Sequence, residues 1–256
     1  MSERIAGPSA ADPAAFYAAG YGLQGEEAAL MGRWRALGAR SKGAHVAALC
    51  RRAGLRPRSV VELGCGDGAL LAELAARGVG ATFDGFELSP EAAAMARGRG
   101  VPGVRRVEAF DGATVPADDG AYDLAVLSHV IEHVPEPEPL LREAGRVAAW
   151  VVVEVPLEAN RSAARRAKRA EAARIGHVHA FDRAAIRALC GRAGLAIRDE
   201  LADPLPYSHH AFFARGAAAR ARAAAKTAVR RAIFRADGRR AERLFTIHYA
   251  CLARPR

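Results

Sequence analysis

Cysteine is scarce in this sequence of 256 residues, and the four that occur are far apart. No two of them stand at the C-x-x-C spacing that is typical of cysteine-rich zinc sites, and no disulfide framework is apparent. We therefore expect free thiols at all four positions, which are Cys50, Cys65, Cys190 and Cys251.

Long hydrophobic runs are also missing. The longest apolar stretch beside a predicted strand is 147–153, whereas a helix needs about 20 apolar residues to cross a bilayer. Residues 1–13 lack the basic start, apolar middle and small-residue cleavage site of a secretory signal. We expect a cytoplasmic chain without a membrane partner, and its 51% hydrophobic content suffices for a sizeable core.

Lysine is nearly absent, since only three of the 38 basic residues are lysines. The arginine excess gives a net charge of +10 and is densest at 161–174 and 215–243. A solvated helix face, a site for a phosphorylated or carboxylated small molecule, and an RNA-binding surface would each explain such runs. No aromatic residue is interleaved with the arginines between 214 and 232, which disfavours a nucleic-acid partner.

Strand and helix signals alternate from residue 58 onward. Compact apolar stretches predict strands at 58–63, 82–88, 104–109, 122–127, 148–155, 195–201 and 244–252. Helical patterns between them cover 69–76, 89–98, 137–147 and 183–193. Apolar strands joined by helices indicate a mainly parallel sheet covered on both faces, which makes the predicted fold class doubly wound α/β.

The segment before the first strand has a helical spacing of apolar residues over about 26–54. Glycines within it are expected to interrupt the pattern, so we expect two or three short helices. We assign 1–55 to an N-terminal helical cap and 56–256 to one domain. Insertions at about 157–179 and 203–240 should carry substrate specificity together with the cap.

A glycine-rich loop at 64–68, with the sequence GCGDG, follows the first predicted strand. Ligands of open doubly wound sheets bind at this edge. A dinucleotide loop has the spacing G-x-G-x-x-G and holds a pyrophosphate, but Ala69 stands at the place of the third glycine. Glu62 and Asp67 flank the glycines, and each carboxylate would repel a pyrophosphate by about 1 to 4 kcal/mol. The loop therefore favours a cationic ligand.

S-adenosylmethionine (SAM) meets this requirement, because it carries an ammonium and a sulfonium and has no phosphate. The glycines let the backbone approach its amino-acid portion closely. Glu87 stands at the end of the second predicted strand, where an acidic side chain accepts hydrogen bonds from both ribose hydroxyls. An ordinary tight turn and a solvated strand end would explain each feature separately, but together they indicate a SAM site.

Four segments resemble the successive motifs of the class I SAM-dependent methyltransferase family, in its small-molecule type. They are 60–68, 86–90, 110–112 and 122–134, within a resemblance that extends over about 35–198. It implies a Rossmann-like, seven-stranded, mostly parallel sheet whose last strand is antiparallel. Helical lid elements are expected at both ends of the chain.

The resemblance also implies how the cofactor is held. It places the loop glycines at the methionine end, Glu87 on the ribose and Leu88 against adenine. Asp111 would accept a hydrogen bond from the adenine amino group, Gly112 would supply a backbone donor, and Ser128 would lie beside the methionine portion. The candidate cofactor residues are Glu62, Gly64, Cys65, Gly66, Glu87, Leu88, Asp111, Gly112 and Ser128. Separately, Tyr17 and Tyr21 share a helix face at a spacing of four and are candidates either to close over SAM or to pack in the core.

Methyl transfer from a sulfonium is an in-line displacement, in which orientation supplies about 7 to 11 kcal/mol. A hydroxyl acceptor benefits from a general base, whereas a neutral amine often needs none. The catalytic candidates are His129, which follows the fourth strand, and His177 and His179, whose alternation lets both point the same way. A structural role is the alternative for each of them.

No metal site is predicted, because the pairs His177/His179 and His209/His210 have no carboxylate or cysteine at ligand spacing. We interpret the adjacent Glu132 and His133 as structural residues.

The leading hypothesis is methyl transfer from SAM to an oxygen or nitrogen atom of a small molecule, with secondary metabolism as one setting. An RNA or nucleotide-sugar methyltransferase that uses the basic runs, and a non-catalytic SAM-binding regulator, are the alternatives. The acceptor and the oligomeric state stay open, with a homodimer among the options.

Overall fold

The computed structural model describes residues 20–256 and, in backbone alone, the short strand Glu3–Arg4. The strands are β1 (Glu3–Arg4), β2 (Ser59–Leu63), β3 (Thr82–Glu87), β4 (Val104–Ala109), β5 (Tyr122–Ser128), β6 (Ala148–Leu157), β7 (His179–Ala180), β8 (Leu195–Asp203) and β9 (Ile247–Pro255). The helices are α1 (Gly25–Arg52), α2 (Ala69–Ala76), α3 (Pro90–Gly98), α4 (Pro137–Val147), α5 (Arg166–Arg174), α6 (Arg183–Arg192), α7 (Tyr207–Ala211), α8 (Gly216–Ala236) and α9 (Gly238–Leu244). Apart from β1, the segment 1–13 used for the localisation prediction lies outside the described residues, as does Tyr17.

The main sheet has seven strands in the order β4-β3-β2-β5-β6-β9-β8. The five strands β4-β3-β2-β5-β6 run parallel to one another, and β9 runs antiparallel to both β6 and β8. This topology confirms the predicted seven-stranded sheet with an antiparallel last strand. It also brings the carboxyl ends of β2, β3, β4 and β5 to one edge, where the glycine loop lies.

The sheet is covered by helices on both faces, as the apolar strands predicted. Successive side chains of a strand point to opposite faces, so Val60 and Val61 enter two different cores. One core joins Val61 to Leu141 of α4 and Ile186 of α6, while the other joins Val60 to Leu49 of α1. In the part of the chain that is described, no helix is long and apolar enough to cross a membrane.

The first helix differs from the prediction. Instead of two or three short helices, α1 is one helix of 28 residues that continues through Gly32, Gly38 and Gly43. A glycine inside a helix costs only about 1 kcal/mol relative to alanine, which tertiary packing outweighs. At Gly43 the missing side chain is useful, because a Cβ there would lie 2.6 Å from Cγ of Glu73 in α2.

The continuity of α1 predicts the effect of one substitution. Gly38 lies inside the helix, and no described atom would come within 4 Å of an added Cβ. We expect Gly38→Ala to raise the free energy of unfolding by about 0.5 to 1 kcal/mol in urea titrations, because alanine restricts the unfolded chain more than glycine does. A loss of stability would contradict a continuous helix at this position.

Candidate active site

The glycine loop is tied to the end of β3 by its backbone. The N–H groups of Gly64 and Cys65 both donate to the carbonyl oxygen of Phe86, at 2.7 and 3.1 Å. Gly64 and Gly66 have φ angles of +75° and +53°, which side chains rarely adopt. A Cβ at Gly64 would also lie 2.6 Å from Cγ2 of Val130. The loop therefore needs glycine at these positions.

Glu87 fixes the same loop through its side chain. Its carboxylate accepts the N–H of Gly66 on Oε2 at 2.7 Å and the N–H of Ser89 on Oε1 at 3.1 Å. Each carboxylate oxygen has a second lone pair, so further hydrogen bonds from hydroxyl groups are possible. With only 7% of its surface exposed, Glu87 is held in one position at the end of β3.

The segment predicted to hold adenine is more open. Leu88 is half-buried, and a Cβ at Gly112 would lie 3.6 Å from its Cδ1 atom. Asp111 is exposed, and its Oδ1 accepts the N–H groups of Thr114 and Ala113, each at 2.8 Å. These two hydrogen bonds lower the pKa of Asp111. Its other oxygen, Oδ2, makes no hydrogen bond to the described residues.

Glu62 is buried at the end of β2, with 3% of its surface exposed. Its Oε2 atom has no hydrogen-bond partner among the described residues. Burial raises the pKa of Glu62 well above its usual range, Lys42 opposes that rise, and Glu87 adds to it. An unpartnered buried acceptor costs about 1 to 3 kcal/mol. An ammonium group bound here would remove that cost, so the residues present fit SAM.

Asp67 does not present the free negative charge expected from the sequence. Its Oδ2 atom pairs with Nε of Arg35 at 2.8 Å and with Nη2 of Arg99 at 2.7 Å. Its Oδ1 accepts the N–H of Ala69 at 3.2 Å. Two arginines, distant in sequence, therefore neutralise this side of the loop. The acidic side chains left near the glycines without an arginine partner are those of Glu62 and Glu87.

Tyr21 covers the loop from outside. A Cβ at Gly66 would lie 2.5 Å from the Tyr21 hydroxyl, and the Arg35 guanidinium lies 5.0 Å from the centre of the Tyr21 ring. Burial, with a smaller contribution from Glu87, raises the pKa of Tyr21, so the phenol stays protonated. Its position is compatible with closure over a bound cofactor.

Two of the predicted cofactor residues direct their side chains elsewhere. The Cys65 thiol is buried against Gly85, where an added Cβ would lie 2.8 Å from its Sγ atom, and it donates to the Gly66 carbonyl oxygen at 3.9 Å. The Ser128 hydroxyl donates to Oε2 of Glu154 at 3.2 Å. Ser128 therefore connects the end of β5 to β6.

His129 has an unusual backbone. Its φ is +59°, and no other non-glycine residue among those described has a positive φ. A strained backbone of this kind is commonly found at functional sites. Its Nε2 atom is buried without a hydrogen-bond partner, and Nδ1 lies 3.4 Å from Oε1 of Glu132. Burial and the nearby Lys42 hold the pKa of His129 well below its usual range, so the imidazole is neutral.

His129 lines a cavity of about 1060 Å³, which we call the histidine cavity. Its walls come from the ends of β5 and β9 and from α5, α7 and α8. The lining histidines are His129, His177, His209, His210 and His248, and the basic residues are Arg166, Lys168, Arg169, Lys226 and Arg230. Helices from both predicted insertions thus contribute to one concave surface.

His177 and His179 do not point the same way. His177 lines the histidine cavity and donates from Nδ1 to Oε2 of Glu158 at 2.7 Å. Burial alone would lower the pKa of His177, but that hydrogen bond raises it. His179 donates from Nε2 to the Pro135 carbonyl at 3.1 Å, stacks on Phe181, and lines a separate depression of about 630 Å³.

A buried carboxylate that was not predicted from the sequence lies against His248, one of the residues that line the histidine cavity. Glu154 accepts Nδ1–H of His45 on Oε1 at 2.9 Å, and Nδ1 of His248 lies 3.5 Å from the same oxygen. Burial would raise the pKa of Glu154, but hydrogen bonds from His248 and His45 hold it well below its usual range. Burial would lower the pKa of His45, yet Asp203 and Glu154 raise it to about 9.

These residues belong to α1, β6, β8 and β9, so their spacing in the sequence carries no signal. A detectable signal was the presence of Glu154 and His248 inside otherwise apolar strands, because charged and polar side chains are rarely buried without a partner.

Comparison with known proteins agrees with this geometry. A family model described as "Methyltransferase domain" matches residues 34–200. The chain is 39% identical over 102 residues to trans-aconitate 2-methyltransferase of Mycolicibacterium gilvum, covering 39% of the chain and 38% of that protein. It is 33% identical over 98 residues to ajmaline N-methyltransferase of Rauvolfia serpentina, covering 37% of the chain and 33% of that protein. It is 37% identical over 109 residues to ubiquinone biosynthesis O-methyltransferase of Thiobacillus denitrificans, covering 39% of the chain and 45% of that protein. The matched segment thus spans less than half of each relative.

The position of Glu87 predicts its contribution to cofactor binding. We expect Glu87→Ala to weaken SAM binding by about 1 to 3 kcal/mol in calorimetric titrations, because hydrogen bonds to a charged acceptor are lost. Asp118→Ala, which removes an exposed carboxylate from a loop, is the matched control and should keep the wild-type affinity. Equal affinities for both variants would show that the ribose is held elsewhere.

Proposed function

The chain belongs to the class I SAM-dependent methyltransferase family, and on that premise we propose that it transfers the methyl group of SAM to an oxygen or nitrogen atom of a small molecule. The proposal rests on one observation, that two sites lie next to each other at the same edge of the sheet. The glycine loop with Glu62 and Glu87 lies at the ends of β2 and β3, and the histidine cavity opens beside the neighbouring end of β5. Bound SAM would supply an electrophilic methyl group there.

On the cofactor side, the residues divide by what they can offer. Glu62 would face the ammonium group, because its unpartnered Oε2 is buried close to the loop. Glu87 would accept the ribose hydroxyls, and Leu88, Asp111 and Gly112 would border adenine. Gly64, Cys65 and Gly66 would contribute backbone, while Ser128 would act by fixing the end of β5 through Glu154.

On the acceptor side, His129 is the residue placed to act on the reacting group. Its neutral imidazole follows β5 directly and lines the histidine cavity, and its Nε2 atom has no hydrogen-bond partner among the described residues. His177 forms another part of the wall and is held by Glu158. His179 lies in the separate depression, so the proposal assigns catalytic roles to His129 and His177 and not to His179. Orientation within the histidine cavity would supply most of the rate enhancement.

We further propose that the acceptor is anionic. Lys226 and Arg230 are four residues apart on α8, so they share a face, and both line the histidine cavity. Neither forms an ion pair with a described carboxylate. Burial, Arg230 and Lys168 lower the pKa of Lys226, and burial lowers that of Arg230. A carboxylate or phosphate on the acceptor would stabilise both cations.

The same arrangement favours a small molecule over RNA. The cations face a concave cavity, and α8 has no aromatic residue between 216 and 232 on which bases would stack. We propose that the cap at 1–55 and the insertions at about 157–179 and 203–240 enclose the acceptor. The two insertions contain α5, α7 and α8, which line the histidine cavity.

Calorimetry with SAM and S-adenosylhomocysteine tests the cofactor directly. We expect both to bind with micromolar dissociation constants, which correspond to about −8 kcal/mol. Transfer of a labelled methyl group from SAM to a panel of small carboxylates, phosphates and their neutral analogues would then test the acceptor class. Absence of binding by either nucleoside below about millimolar concentration would contradict the proposed function.

Substitution of His129 separates catalysis from cofactor binding. We expect His129→Ala to lower the turnover rate by about 10² to 10⁴, because the group that acts on the acceptor is lost, while SAM affinity changes far less. His129→Asn is the companion variant, since asparagine tolerates a positive φ and lacks the imidazole. Wild-type turnover in the asparagine variant would assign His129 to structure alone.

A further inference from the structure

Three side chains with metal-ligand chemistry converge beside the histidine cavity, which two of them line. They are His129 after β5, Glu154 in β6 and His248 in β9, and one ligand atom from each lies within 4.8 Å of the others. Ligands on one zinc-sized ion lie about 2.0 to 2.2 Å from it, so ligand atoms are about 3 to 4 Å apart. Small side-chain rotations would bring these three atoms to that distance.

One nitrogen atom in this cluster, Nε2 of His129, is buried without a hydrogen-bond partner among the described residues, whereas Nδ1 of His248 lies 3.5 Å from Oε1 of Glu154. The rings of His129 and His248 meet edge to face with centres 4.5 Å apart, which gives Nε2 of His129 no hydrogen-bond partner. An unsatisfied buried polar atom is costly, which argues for a bound partner.

Outer residues hold the three side chains in place, as is typical around metal ligands. His45 donates to Oε1 of Glu154 at 2.9 Å, and Ser128 donates to Oε2 at 3.2 Å. His45 is itself held by Asp203 at 3.3 Å. On the other side, Oε1 of Glu132 lies 3.4 Å from Nδ1 of His129 and would orient Nε2 towards the cluster.

We propose that His129, Glu154 and His248 bind one divalent transition-metal ion beside the acceptor cavity, which His129 and His248 line. Two imidazoles and a carboxylate suit zinc, manganese, iron or cobalt better than magnesium, which prefers oxygen ligands alone. Three protein ligands leave positions for an acceptor atom.

The catalytic part of this inference rests on the proposed function, because His129 would then act on the acceptor through the ion. A metal-bound hydroxyl of the acceptor would release its proton to solvent water more readily, and the oxygen would then form a bond to the methyl carbon of SAM as the carbon–sulfur bond breaks and S-adenosylhomocysteine leaves. Metal binding itself does not depend on that function.

This proposal departs from the prediction made from sequence, which found no carboxylate at ligand spacing near the histidines. The fold supplies one, because β6 lies between β5 and β9 in the sheet and places Glu154 between His129 and His248. Ser128 and Ala250 are the register partners of Glu154 on its two sides.

Calorimetric titration of the chelator-treated full chain with Zn²⁺ and with Mn²⁺ tests the site. We expect one ion per chain for at least one of these metals, and at least tenfold weaker binding in His248→Ala and in Glu154→Gln. His179→Ala removes a buried histidine outside the cluster and should bind as the wild type does. Circular dichroism checks that each variant is folded, and the milder His248→Gln replaces His248→Ala if that variant unfolds.

Equal binding by the wild type and the folded cluster variants, or no binding by the wild type, would overturn the proposal. S-adenosylhomocysteine titrations on the same samples separate this result from the proposed function. Retained nucleoside binding without metal binding rejects the metal site alone, whereas loss of nucleoside binding in the wild type rejects the function. Methyl transfer that needs added metal in the wild type would support both.

Discussion

The candidate site depends on the two hydrogen bonds that the Glu87 carboxylate accepts. By accepting the N–H groups of Gly66 and Ser89, it joins the loop after β2 to the turn after β3. Those two segments are distant in sequence and adjacent in the sheet because β2 and β3 are parallel neighbours. A charge-assisted hydrogen bond is stronger than a neutral one, so this contact holds the glycine loop in a conformation with positive φ angles. The same carboxylate retains lone pairs for a ligand.

Local patterns predicted most of the fold. The apolar strands, the serine cap before α3 and the glycine loop each depend on neighbours in sequence, and the structure places them as expected. The interrupted helix was the error, since the cost of three glycines is small beside the packing of α1 on the sheet and on α2. Sequence patterns reflect only the low helix propensity of a glycine. They do not show which neighbouring helix packs against it.

The site was predictable only where its residues follow a strand directly. Glu62, Glu87 and His129 each stand at or just after a strand end, so strand prediction also located them. The pairing of Asp67 with Arg35 and Arg99, and the cluster around Glu154, join residues from different elements. Such contacts depend on strand order and helix placement, which single-sequence patterns do not specify. Asp67, which was expected to carry a free negative charge at the loop, is therefore neutralised by two arginines, and the buried Glu154 was not predicted.

The central claim is that the glycine loop and Glu87 bind the nucleoside of SAM. A crystal structure of the chain with S-adenosylhomocysteine tests this claim most directly. The account predicts both ribose hydroxyls on the Glu87 carboxylate, adenine between Leu88 and the 111–112 turn, and the ammonium group at Glu62. A nucleoside bound elsewhere, with Glu87 contacting only the backbone of Gly66 and Ser89, would contradict it.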